Sequence, residues 1–176
     1  MFIGSQQMHV KDEAKDISFP VLVLYPTEVS SAPVVLGPYT IDVTPDAPIA
    51  AGSFPLVIIS HGTGGAHLLY LTIATHLAQK GYAVAMLEHY GNNRHNNVLE
   101  GTDENLINRP KHVQLTIDSI IAKEQFKPSI QADKVAIIGH SMGDTPHWLW
   151  LGAGPGQKQM NGWMLFMMHV FRHLCS

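Results

Sequence analysis

The sequence predicts an α/β fold, a mostly parallel sheet with flanking helices. Three observations carry that prediction. Leu56 to Ser60, Ala83 to Leu87 and Lys134 to Ile138 are short and almost wholly apolar, as strands buried on both faces of a parallel sheet are. Between them lie two stretches whose apolar residues recur at helical spacing. The resulting order (strand, loop, strand, helix, strand, helix, strand) is the alternation that gives parallel crossovers.

Each element has its own signal. Pro20 to Tyr25 is an apolar run stopped by Pro26 and reads as a strand. Residues 26–53 hold five prolines, at 26, 33, 38, 45 and 48, and read as a connection with edge strands at most. Tyr70, Ile73, Ala74, Leu77 and Ala78 fall on one face of a helix that ends at Lys80-Gly81, a basic last turn with glycine just beyond it. Glu88 to Gly101 is polar and asparagine-rich, a loop. A second helix is expected from about Asn108 to Phe126, with Pro110 in its first turn, an apolar face of Val113, Ile117, Ile120 and Ile121, and Pro128 after its end.

Composition narrows the function classes. With 176 residues the chain is about one domain. At 45% hydrophobic and 14% charged it is not a disordered or acidic-tail sequence. A net charge of −3 gives no pull toward nucleic acid. One cysteine excludes an intrachain disulfide and a cysteine-cluster zinc site. No apolar run reaches the length of a membrane span, and the start lacks a basic region and a long apolar stretch, so a cytoplasmic location is expected. Protonating all 11 histidines would carry the charge from −3 to +8, so solubility should depend on pH. The histidines at 61, 67, 76, 89, 95 and 112 show no metal-ligand spacing and read as ordinary surface or loop residues. No metal and no cofactor are expected.

The chemistry is concentrated after the last predicted strand. Gly139-His140-Ser141-Met142-Gly143 matches G-x-S-x-G at the point where a buried strand should turn into a helix. Such a tight turn leaves no room for Cβ atoms beside the serine and lifts its oxygen above the sheet. Ser141 is therefore the candidate nucleophile, with Gly139 and Gly143 as supporting glycines; the alternative is a glycine-rich turn with an idle serine. His61-Gly62-Thr63-Gly64-Gly65 closes the earlier strand. Backbone N–H groups of Thr63 and Met142 are the candidate oxyanion donors, with Gly62 as a further supporting glycine. The alternative, a phosphate-binding loop, lacks both the G-x-G-x-x-G spacing and the P-loop lysine.

Phe54 to His89, the Asn105-to-Pro110 stretch and Gly139 to Gly143 resemble α/β-hydrolases of the platelet-activating-factor acetylhydrolase and predicted dienelactone hydrolase group. The resemblance covers about residues 17–143. It implies a partial α/β-hydrolase fold lacking the C-terminal strands, and a serine esterase with a small-molecule ester substrate and a Ser-Asp-His triad. Ser141 is similar to the nucleophile of the acetylhydrolase branch, since dienelactone hydrolases use cysteine there. In such enzymes the acid and the histidine follow the serine, but only the last 35 residues follow it here. On this reading the chain itself should be slow or inactive, and a non-catalytic fragment or interaction protein is the alternative. His147 lies too far along a helix to reach the serine oxygen, and His140 should point elsewhere; nothing supports His169 or His173. The strand at 134–138 should be left with an open, aggregation-prone edge.

After Gly143 the composition changes. All three Trp (148, 150, 163), four of the eight Met (160, 164, 167, 168) and Cys175 lie there, and no Asp or Glu follows Asp144. Trp and Met have one codon each. Restoring a single base after codon 143 turns this stretch into a small-residue helix followed by Glu-, Asp- and Ala-containing sequence similar to the same group. Residues 1–143 are thus expected to be the N-terminal part of the hydrolase domain and 144–176 an out-of-frame tail. Sequencing the gene checks this: one added base after codon 143 should open a hydrolase-like frame, and an uninterrupted frame needing none would overturn it.

Overall fold

The computed structural model describes residues 1–141, 158–160 and 163–168. Among the described residues nine strands form one sheet: β1 (Phe2–Asp12), β2 (Ile17–Thr27), β3 (Ala32–Leu36), β4 (Tyr39–Pro45), β5 (Phe54–Ser60), β6 (Ala83–Leu87), β7 (Ile130–His140), β8 (Lys158–Met160) and β9 (Trp163–Met168). A 3₁₀ turn at His67–Tyr70 leads into α1 (Leu71–Gln79), and α2 (Asp103–Ala122) precedes β7. The strand order is β3-β4-β1-β2-β6-β5-β7-β9-β8.

The three central strands are parallel, as expected: β5 pairs with β6 on one side and β7 on the other. The flanks are antiparallel, so the whole sheet is mixed. β1 and β2 are joined by a four-residue turn, too short for anything but an antiparallel pair. β1 was not legible beforehand because Gln6, Gln7, His9 and Lys11 interrupt its apolar pattern; Ile3, Gly4, Ser5, Val10 and Asp12 are its buried positions. β3 and β4 form the edge hairpin, consistent with their prolines.

The expected open edge of β7 is a correction. β9 pairs with it antiparallel, Val135 opposite Met168 through His140 opposite Trp163, and β8 pairs with β9. An unpaired strand edge is a row of free N–H and C=O groups, and the 163–168 backbone satisfies them.

The continuous apolar runs are explained by cover on both faces. Leu56 and Ile58 pack with Val113, Ile117, Ile120 and Phe126 beneath α2. Val57 and Ile59 alternate to the opposite face and pack with Leu71, Ala74 and Ala78 of α1. The crossover from β5 to β6 runs one way along the sheet, and that from β6 to β7 returns across β5. Right-handed crossovers in opposite directions place their helices on opposite faces. The C-terminal end of β5 lies at that reversal, where open α/β sheets form their crevice.

The second helix starts earlier than expected. Thr102 caps it, its hydroxyl accepting the Asn105 N–H at 3.2 Å, and Asp103 and Glu104 fill the first turn. Pro110 lies inside the helix, where its missing N–H leaves the Leu106 carbonyl without its usual helical donor. The N-terminal part of α2 is tied down from β1 and the β1–β2 turn: Lys15 Nζ lies 2.7 Å from both Glu104 Oε1 and Asn108 Oδ1, and Lys111 pairs with the buried Asp12 at 2.7 Å.

Candidate active site at the ends of β5 and β7

The parallel register sets Ser60 opposite Gly139, so the two loops that follow leave the sheet side by side. A Cβ on Gly62 would lie 3.3 Å from Ser141 Cβ and 3.1 Å from the His140 carbonyl oxygen. The structure thus brings Gly62 against Ser141, and only a residue without a side chain fits without displacement. Gly139 lies one residue before the end of β7, within the sheet. Met142 and Gly143 lie outside the described residues, as do His147, His169 and His173.

Ser141 has a left-handed backbone, φ 55°, and is exposed. For a non-glycine residue that conformation costs about 1–2 kcal/mol, and such strain gathers at functional sites. His140, next to it, turns aside: its Nδ1 lies 3.2 Å from the Tyr70 hydroxyl.

The loop after β5 is fixed peptide by peptide. His61 Nε2 accepts the His89 N–H at 3.0 Å and so carries no proton. The neutral ring must then carry its proton on Nδ1, which lies 2.7 Å from the Gly62 carbonyl oxygen. That oxygen also accepts the Gly65 N–H at 3.0 Å. In a planar trans peptide the N–H points opposite to the C=O, so the Thr63 N–H is turned away from this cluster. It makes no hydrogen bond among the described residues.

Beneath the loop is a polar layer that the sequence reading missed. Ser60, His61, His89, Asn92, Asn105, Asn108, Arg109 and His112 are all buried. Three of the histidines read as surface or loop residues are therefore interior, which corrects that expectation. Ser60 Oγ lies 2.9 Å from His89 Nε2, and His89 Nδ1 lies 3.2 Å from His112 Nδ1. Arg109 donates from NH1 to Asn92 Oδ1 at 2.6 Å, and from NH2 to Ser60 Oγ at 3.4 Å and to the His61 carbonyl. A signal for part of this layer was present: Asn105, Arg109, His112, Val113, Thr116, Ile117 and Ile120 form one helical stripe, so the polar members continue the apolar face.

Burial pushes the His61 and His112 imidazoles down to about 4, and the nearby Arg109 cation acts the same way. Burial also lowers Arg109, to about 10. Burial would push the Glu88 carboxyl up, but the His67 ring 2.8 Å away hydrogen-bonds and attracts it, and the net result lies below the ordinary range. Among the described residues no group of three or more His, Cys, Asp or Glu is arranged to hold a metal ion, and no helix is long and apolar enough to cross a membrane.

The comparisons agree with this architecture. Residues 29–105 match the sequence family platelet-activating factor acetylhydrolase, isoform II. The platelet-activating factor acetylhydrolase of Canis lupus familiaris is 28% identical over 142 residues, covering 56% of this chain and 32% of the canine protein. A ferulic acid esterase from Streptomyces cinnamoneus superposes with a TM-score of 0.66 at 21% identity, over 81% of this chain and 53% of the esterase. A protein from Klebsiella pneumoniae described as a dienelactone hydrolase superposes at 0.59 and 14% identity, over 92% of this chain and 65% of its own. The chain is similar in sequence to the acetylhydrolases over part of its length, and it shares its fold with these solved structures. It spans about a third of the length of the canine relative and about half that of the Streptomyces esterase.

Two outcomes are expected. Ser141→Gly should be more stable than Ser141→Ala by about 1 kcal/mol, because glycine adopts φ 55° freely; equal denaturation midpoints would show that the turn holds no strain. In the unfolded chain His61 and His112 regain an ordinary pKa near 6.5, so between about pH 6.5 and 4 the unfolded state binds more protons. Their contribution is complete above about 6.5 and is lost as pH falls toward 4. Denaturant titrations should show stability falling over this window with a slope approaching two protons, and His112→Gln should reduce that slope.

Proposed function

We propose that this chain carries the nucleophile half of a serine hydrolase that cleaves carboxylic esters through an acyl-enzyme on Ser141. The observation that supports this best is the juxtaposition of a strained, exposed serine with a glycine loop whose Thr63 N–H has no hydrogen-bond partner among the described residues. The acetylhydrolase family match and the esterase among the structural neighbours favour an ester over other acyl compounds.

In the reaction, the Ser141 hydroxyl oxygen attacks the ester carbonyl carbon while a base takes its proton. The carbonyl oxygen becomes an oxyanion, and the N–H groups of Thr63 and Met142 hold it. Collapse expels the alcohol, which takes up the proton. Water then hydrolyses the acyl-serine by the same route in reverse. Among the described residues no imidazole hydrogen-bonds the Ser141 hydroxyl. On this reading residues 144–176 are an out-of-frame tail without the triad acid and histidine, and the chain retains only the residual chemistry of an oxyanion site lacking its base.

Incubation with p-nitrophenyl acetate followed by peptide mapping tests the reading. An acetyl group should accumulate slowly on Ser141 and be absent from that site in Ser141→Ala. A fluorophosphonate should leave Ser141 unlabelled on the same timescale. Gly62→Ala, which pushes a methyl group against Ser141 and the His140 carbonyl, should slow acetylation by about tenfold. Acetylation confined to lysines would overturn the assignment of Ser141. Rapid fluorophosphonate labelling would show that a histidine of this chain serves as base.

A further inference from the structure

Arg109 is only 2% exposed, and no carboxylate pairs with it among the described residues. Three carboxylates packed against this part of the molecule have other partners: Asp12 pairs with Lys111, Glu104 with Lys15, and Glu88 with the His67 ring. Burying a charge without a counter-ion is strongly unfavourable, and an apolar side chain of similar length would fill the space without that penalty. The Nε–H is also buried and has no partner among the described residues. Stability alone therefore does not explain a guanidinium here.

Its acceptors suggest what does. All three belong to the segments around the candidate site: Ser60 and His61 at the end of β5, and Asn92 in the loop after β6. The bond to the His61 carbonyl fixes the plane of the first peptide of the glycine loop. His61 Nδ1–H and the Gly65 N–H fix the second by holding the Gly62 carbonyl. The second peptide is the one that carries the Thr63 N–H. Arg109 thus holds the inner end of the chain of contacts that orients this donor. A fork of coplanar donors can hold Asn92 and His61 together, which a lysine ammonium on a flexible stem cannot do as well.

We infer that Arg109 is the positioning residue of the Gly62–Gly65 loop: its guanidinium locks the His61 carbonyl and thereby aims the Thr63 N–H at a carbonyl oxygen lying over Ser141. The inference rests on the assignment of Ser141 and Thr63 proposed above. It concerns a residue that does not itself touch substrate.

Hydrogen exchange on the full chain, together with the Ser141 acetylation rate, tests it. In Arg109→Met, exchange of the 62–65 amides should accelerate by about tenfold while the interiors of β5 and β6 hold their protection. The saturating acetylation rate should fall about 10- to 100-fold with little change in half-saturation by the ester. A purely structural arginine would lower the melting temperature but leave the acetylation rate of the folded protein unchanged. Arg109→Lys should recover less than half of the lost rate; full recovery would overturn the positioning role. If Arg109→Met does not fold, Asn92→Ala decides, because it keeps the cation but frees one arm of the fork: exchange at 62–65 should rise roughly threefold although the change lies in the other loop. Unchanged 62–65 exchange in the folded variant overturns the inference. If the unmodified chain is never acetylated on Ser141, the functional reading fails, and the exchange comparison still reports whether Arg109 holds the loop.

Discussion

One pairing sets the rest of the site: β5 runs parallel to β7 with Ser60 opposite Gly139. Parallel neighbours end at the same level, so the chain leaving β5 and the chain leaving β7 emerge together. The gap between them is narrow enough that a side chain at Gly62 would have to displace its neighbours by a few tenths of an ångström. Neither loop would mean much without the other. A serine in a left-handed turn is a local oddity, and a glycine-rich loop is a common connection. Held at contact distance by the sheet, on the proposed reading they form the place where a carbonyl carbon and its oxygen are met from two directions at once.

Beneath this surface the protein departs from ordinary core chemistry. The sheet is dry and aliphatic along most of its length, yet its C-terminal end sits on imidazoles, amides and a guanidinium. Such groups are expensive to desolvate and are tolerated when hydrogen-bonded. Here most of them are joined in one network that runs from Ser60 through His89 to His112 and, by way of Arg109, to Asn92. The network holds the ends of β5, of β6 and of the first turns of α2 in a fixed relation. Burial keeps His112 of this network, and His61 at its edge, neutral down to about pH 4. That is also why only part of the eleven-histidine charge swing anticipated from composition applies to the folded molecule.

Much of the central fold was readable from residues alone because it rests on unmistakable patterns. β5 and β6 are continuous apolar runs, and α1 shows a clean 3.6-residue stripe closed by Lys80-Gly81. The glycines at 139 and 143 marked a tight turn around Ser141, and of that turn the described residues reach only to Ser141, with its left-handed backbone. What escaped had competing signals. β1 turns Gln7, His9 and Lys11 to solvent and buries Gly4, Ser5 and Asp12 beside Ile3 and Val10, so no hydrophobic alternation remained. The start of α2 was hidden because Pro110 resembles a first-turn proline, while the true start, Thr102 with Asp103 and Glu104, lay inside a stretch that read as loop. The interior histidines were hidden because a histidine's burial depends on partners far away in sequence. His89 meets His61 and His112 at separations of 28 and 23 residues.

Pro55 gives the site a further safeguard. It sits in a central strand, where a proline is rare because it cannot donate to a neighbour, and the pairing of β5 with β7 jumps there: Pro55 lies opposite Gln131, and Leu56 opposite Val135. A strand of uniform aliphatic residues could slide along its partner by two positions and still bury the same face. The jump removes that freedom, since a slid strand would bring the imino ring against a ladder position that demands a donor. An index mark at the far end of the strand therefore keeps the serine and its facing loop from drifting out of step during folding.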